Sequence, residues 1–224
     1  MNNLAAAVRH KVDGWIDRTP CRDWCARCRR PGVTCYCSLI EPFDSVPRFV
    51  ILSQPRETKH RLGTGRMAHL GLANSLWYEG VDFSQHPQVN RVIADPANTA
   101  MLLYPGRDAV NVSRLSALER RGLMDEPRTA VVFVLDGTWK SVRKMMRLSG
   151  NLRQLPAICF QPPTLSAYGF RREPRPECYS TIEAIHQVIE LFDPPLIAPA
   201  GRRHDRLLKA FHFMVATQMA YSPA

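Results

Sequence analysis

Two stretches of unbroken apolar sequence, Ala100-Met101-Leu102-Leu103-Tyr104 and Ala130-Val131-Val132-Phe133-Val134-Leu135, constrain this chain more than any other feature. A strand with one face in water alternates apolar and polar residues. These runs do not alternate, so helices must cover both of their faces. Phe49-Val50-Ile51-Leu52 and Ala157-Ile158-Cys159-Phe160 are shorter runs of the same kind. Helix-spaced apolar residues lie between them: Met67, Leu70, Leu72 and Leu76 after the first, and Ile185, Ile189 and Phe192 later in the chain. The later set follows a Ser-x-x-Glu capping box at Ser180 and Glu183. Leu207, Leu208, Phe211, Met214 and Val215 mark a last helix. This alternation predicts an α/β fold, a mostly parallel sheet flanked by helices. Ligands in such sheets bind beyond the carboxyl ends of the strands. Two strand ends carry chemistry: Tyr104-Pro105-Gly106-Arg107-Asp108 and Asp136-Gly137-Thr138-Trp139.

The rest of the chain divides around that domain. Leu4, Val8, Val12, Trp15 and Ile16 predict an amino-terminal helix over 1–20. A cysteine-rich segment occupies 21–40, and a connector with prolines at 42 and 47 leads to the main domain, 48–224. A chain of 224 residues accommodates one sizeable domain and such an appendage. No apolar run approaches the ~20 residues of a membrane span, and the first residues lack the pattern of a signal peptide. Cytoplasmic residence, no membrane partner and no obligatory protein partner are the expectations.

Five of the seven cysteines fall between residues 21 and 37. Cys25-x2-Cys28 followed by Cys35-x-Cys37 brings four thiolates together in two tight turns, which suits tetrahedral structural Zn²⁺, with redox cysteines or an iron–sulfur cluster as the alternatives. Cys21 is a less usual substitute for one of the four. A closed four-sulfur site leaves no open position for a substrate.

The net charge of +10 points to a polyanion as partner. No Asp or Glu occurs between Gly137 and Arg172, a stretch that contains Lys140, Arg143, Lys144 and Arg147 as well as Arg171 and Arg172. Spacing of i, i+3, i+4, i+7 puts the first four on one helix face. Like charges at i, i+4 repel by a few tenths of a kcal/mol in an isolated helix, so an acid-free basic face is better explained by a phosphate backbone. Arg27, Arg29 and Arg30 in the cysteine segment, and Lys59, Arg61 and Arg66 in the loop after the first strand, extend the expected RNA contact. In that loop Gly63 and Gly65 flank Thr64, as if to cradle an anion or ligand. Asp136 itself has two readings on this evidence: a carboxylate capping the next helix, or part of a site.

These motifs resemble, in order along nearly the whole chain, those of DTW-domain proteins, which include the tRNA-uridine aminocarboxypropyltransferases. Asp136-Gly137-Thr138-Trp139 is similar to the signature Asp-x-Thr-Trp, Gln54-Pro55-Arg56-Glu57 to a His-Pro-x-Glu motif, and Thr64-Gly65-Arg66 to an Asn-Thr-Gly helix start. Leu103-Tyr104-Pro105-Gly106 resembles the hydrophobic-Pro loop, and Tyr179-Ser180-Thr181 with Glu183 the late Ser/Cys-Thr-x-Glu element. Gln54 stands where the family often has His, so no catalytic role is carried to it. The resemblance implies a SPOUT-like fold with a carboxy-terminal knot, an amino-terminal zinc knuckle, and S-adenosylmethionine as cofactor. It also implies transfer of a 3-amino-3-carboxypropyl group to N3 of a tRNA uridine. Asp136 would be the proton acceptor or uridine-orienting group. Leu103, Tyr104, Pro105, Gly106, Gly137, Thr138, Trp139, Tyr179, Ser180 and Thr181 would hold the cofactor. A SPOUT-type RNA methyltransferase and a non-catalytic zinc-knuckle RNA-binding protein are the competing readings.

Overall fold

In a computed structural model of the protein, residues 23–57, 63–124, 127–168, 178–192 and 202–221 are described. Their main body is a six-stranded sheet in which every pairing is parallel. Strands β3 (Arg48–Ser53), β4 (Leu76–Glu79), β5 (Asn98–Leu103), β6 (Val110–Asn111), β7 (Thr129–Asp136) and β8 (Ala157–Cys159) lie in the order β4-β3-β7-β5-β8-β6. A separate short hairpin pairs β1 (Trp24–Cys25) with β2 (Arg30–Pro31).

The two unbroken apolar runs become β5 and β7, and β7 lies between β3 and β5 at the centre of the sheet. Helices cover both faces. Val132 and Val134 of β7 share a buried cluster with Phe49 and Ile51 of β3. That cluster also takes in helices α1 (Thr64–Gly71), α6 (Thr181–Phe192) and α7 (Asp205–Tyr221). Val131, Phe133 and Leu135 turn the other way, toward Val89 of α2 (Pro87–Ala94), Val142 and Met145 of α4 (Trp139–Leu148), and Leu152 of α5 (Gly150–Arg153). The remaining helix, α3 (Ala117–Gly122), starts with a complete capping box between Ser116 and Glu119.

Two expectations are corrected. The helix predicted through Leu76 ends at Gly71, and Leu76 begins β4. Trp77 and Tyr78 give this edge segment the aromatic content that favours a strand. The strand predicted to end at Tyr104 stops at Leu103. Strand β6 and helix α2 carry no apolar run long enough to announce them. The predicted helix over 1–20 and the carboxy-terminal knot, whose path would include 169–177 and 193–201, lie outside the described residues.

The cysteine segment is built into the domain. Cys28, Tyr36 and Ile40 belong to the same buried cluster as Leu207 and Phe211 of α7. Arg66 of α1 donates two hydrogen bonds, 3.1 and 3.0 Å, to the Arg27 carbonyl. The Phe43 N–H donates to the Gly71 carbonyl at 3.1 Å.

Candidate active site and metal centre

Parallel register brings Ser53, the last residue of β3, beside Asp136, the last of β7. Asp136 is only 4% exposed. The Ser53 hydroxyl donates to its Oδ2 at 2.8 Å, and the Thr181 hydroxyl, at the start of α6, donates to its Oδ1 at 2.7 Å. Gly65 makes room for the carboxylate: a Cβ there would lie 2.5 Å from Oδ2 and 2.7 Å from Oδ1. The glycine expected to cradle a ligand therefore cradles a side chain of the protein itself. Asp136 joins three segments distant in sequence, and Thr138 takes the capping role by accepting from the Ser141 N–H.

Beside this cluster a cavity of about 850 Å³ opens at the carboxyl ends of β5, β7 and β8. That volume lies within the range of small-molecule sites, roughly 300–1,000 Å³. Of the ten residues expected to hold a cofactor, all but Gly106 line it. Lys140 and Arg143, expected at RNA, line it too. Cys159, Phe160 and Cys178 also form wall, from segments in which no motif stood out. Among the described residues, the wall carries no carboxylate and no imidazole, and Asp136 lies behind it. Helix α4 begins at the cavity with no acidic residue in its first turn, so its amino end, Lys140 and Arg143 make one end of the cavity positive.

Glu183 fixes the segment that carries Ser180, another wall residue. It is 7% exposed and accepts from the Ser180 N–H at 2.9 Å, the Ser180 hydroxyl at 2.6 Å, the Ala167 N–H at 2.8 Å and the Ser166 hydroxyl at 2.8 Å. The capping box is thus only half formed: Glu183 reaches back, while the Ser180 hydroxyl donates to it instead of accepting. Tyr179 is held by a 2.9 Å hydrogen bond to Thr164.

The four cysteines Cys25, Cys28, Cys35 and Cys37 converge, their sulfurs all within 4.8 Å of one another. Cys25–Cys37 and Cys28–Cys35 Sγ separations are both 3.6 Å. Tetrahedral zinc with Zn–S bonds near 2.3 Å requires sulfurs about 3.8 Å apart, so the donor set fits the metal. Backbone N–H groups of Cys28 and Arg27 lower the Cys25 thiol to about 6. Arg30 is 4% exposed and lies 5.8 Å from the Tyr36 ring centre, and burial lowers its pKa. The expected RNA contact from Arg30 is corrected accordingly: its charge faces the thiols inside the knuckle, where a zinc tetrathiolate would offset it. Arg66 is occupied by the Arg27 carbonyl. Arg27 and Arg29 are exposed, as are Lys140, Arg143, Lys144 and Arg147 on one face of α4, while Lys59 and Arg61 lie outside the described residues.

His186, His204 and Asp205 form another group with metal-ligand atoms in reach of one another. His186 bonds Asp205 at 2.8 Å and His204 bonds Glu190, while Arg202 contacts both carboxylates. The group therefore has its own cation and works as a staple between α6 and α7.

Among known proteins, the chain is 31% identical over 195 residues to tRNA-uridine aminocarboxypropyltransferase 2 of Drosophila melanogaster, covering 81% of this chain and 74% of that one. It is 26% identical over 196 residues to tRNA-uridine aminocarboxypropyltransferase A of Arabidopsis thaliana, covering 77% and 74%. No solved structure matches it. The pattern of the DTW domain matches residues 22–219, and a match over that much of the sequence, cavity and cysteine knuckle included, makes this chain a member of the DTW domain family.

Proposed function

We propose that this protein transfers the 3-amino-3-carboxypropyl group of S-adenosylmethionine to N3 of a uridine in tRNA, releasing methylthioadenosine. The observation that carries the proposal is the meeting of separate motifs in one cavity. The loop after β5, the Asp136 loop and the start of α6 line or support it, and an acid-free basic helix borders it. The relatives named for this reaction support the same reading.

Bound S-adenosylmethionine would supply a sulfonium leaving group, so the protein mainly has to orient and exclude water. Leu103, Val134 and Phe160 give the cavity an apolar wall. The positive end, with Lys140 and Arg143, suits the methionyl carboxylate. Lys144 and Arg147 continue the same exposed face beyond the cavity, where tRNA phosphates would run. In the knuckle, Cys25, Cys28, Cys35 and Cys37 would hold Zn²⁺ in a closed, structural site.

The test incubates the purified protein with S-adenosylmethionine and unmodified tRNA, and then examines nucleosides and by-products by mass spectrometry. A uridine heavier by one aminocarboxypropyl group, with methylthioadenosine, is expected. Absence of both products refutes the proposal.

A further inference from the structure

Asp136 lies behind the cavity wall, yet a side chain of that wall reaches it. Thr181 lines the cavity, and its hydroxyl proton is committed to Asp136 Oδ1 at 2.7 Å. A hydroxyl that donates in one direction keeps its lone pairs for another. Thr181 therefore offers the cavity an acceptor, polarised by the carboxylate behind it. Ser53 holds that carboxylate by a second hydrogen bond, and Gly65 packs against it. Among the described residues, the wall offers no carboxylate or imidazole to take a proton directly.

Building on aminocarboxypropyl transfer as the reaction, we propose that Asp136 reaches the uridine through Thr181, whose hydroxyl takes the N3 proton while passing its own proton to Asp136. The N3–H bond breaks as N3 bonds to the methionyl γ-carbon, and the γ-carbon–sulfur bond breaks with its electron pair leaving on sulfur. The N3 proton ends on Thr181 Oγ1, and the former Thr181 proton on Asp136 Oδ1. Reversal of that path returns the proton to water once the products leave. Thr181 is then the catalytic residue at the uridine, and Asp136 the base behind it.

The test uses the full chain with Thr181→Val, Thr181→Ser, Asp136→Asn and the Val/Asn double variant, assayed with unmodified tRNA and S-adenosylmethionine. Measured are kcat across pH 5 to 9 and S-adenosylmethionine affinity by calorimetry. Thr181→Val and Asp136→Asn should each lower kcat by about 100-fold or more, the usual worth of positioned acid–base catalysis. The double variant should lose no more than either single one, because the two residues act as a unit. Thr181→Ser should recover activity to within about tenfold of the native protein, since it restores the hydroxyl. Cofactor affinity should change by less than about threefold, the hydroxyl's role lying in proton transfer and not in ground-state binding. Thr181→Val is nearly isosteric, so it tests the relay even if Asp136→Asn does not fold. Retention of kcat by Thr181→Val, multiplication of the two losses, or a loss that follows cofactor affinity alone overturns the relay. An inactive native protein instead refutes the transfer reaction on which the relay rests.

Discussion

Gly65 allows the Asp136 cluster to form, and substituting it tests that cluster without touching a polar group. A methyl group at position 65 would overlap both carboxylate oxygens. Overpacking of this kind costs about 1–3 kcal/mol, and here the strain falls on Asp136. Gly65→Ala should lower the unfolding free energy by that order and depress kcat. Unchanged stability and activity would mean that the carboxylate has room to move. The Asp136 loop was legible in sequence because a buried strand delivers it to a strand end. Motifs picked out Gly65 and Thr181 but not as its partners, and Ser53 not at all, since the β3–β7 register and the packing of α1 and α6 bring them together. Arg30 shows the opposite failure. Composition placed it with the exposed arginines of the knuckle, and the tight turn between Cys25 and Arg30 faces it inward.

At the scale of elements, α4 concentrates the charge. Lys144 and Arg147 are exposed and off the cavity wall, so replacing either by Ala should weaken tRNA binding and leave cofactor affinity intact. The slope of log K against log salt should fall by about one unit per lost phosphate contact; an unchanged slope removes the phosphate track. The α6–α7 staple predicts a pH dependence. Burial depresses His186 below its ordinary value, partly offset by Asp205. Burial alone would raise Glu190 and Asp205, but hydrogen bonds from His204 and Arg202 to Glu190, and from Arg202 and His186 to Asp205, hold both below the usual range. For all three the unfolded chain takes up protons first. Stability is therefore full above pH ~6.5 and falls as acidification protonates His186 in the unfolded chain, then falls further through the carboxylate range. Hydrogen exchange of α7 should quicken as pH is lowered from 7 to 5, relative to the intrinsic rate, and Arg202→Ala should quicken it already at pH 7. Exchange that is flat across this range contradicts the staple. Strands β5 and β7 were legible because burial on both faces leaves an unbroken apolar run. Edge strand β4 was not, because Leu72 and Leu76 happen to continue a helical spacing.

At the scale of the whole molecule, the cysteine segment separates in sequence from the rest and merges with it in space. Cys28, Tyr36 and Ile40 pack with α7. If the metal holds that segment in place, its loss should unsettle the main domain as well as the knuckle. Elemental analysis should find about one zinc per chain, and chelation should lower the melting temperature of the single unfolding transition. A metal-free protein of equal stability would contradict this. The four converging cysteines were visible from spacing, whereas the segment's attachment depends on Tyr36 and Arg66, which spacing cannot reveal. The cavity at the strand ends is likewise a product of topology, and aminocarboxypropyl transfer within it can be tested directly. The most direct measurement supplies two forms of S-adenosylmethionine, one carrying heavy carbon in the carboxyl group and one in the S-methyl group, and follows tRNA uridine by mass spectrometry. With aminocarboxypropyl transfer the carboxyl label enters uridine and the methyl label leaves with methylthioadenosine. Methyl label in the uridine, with none from the carboxyl group, would contradict it.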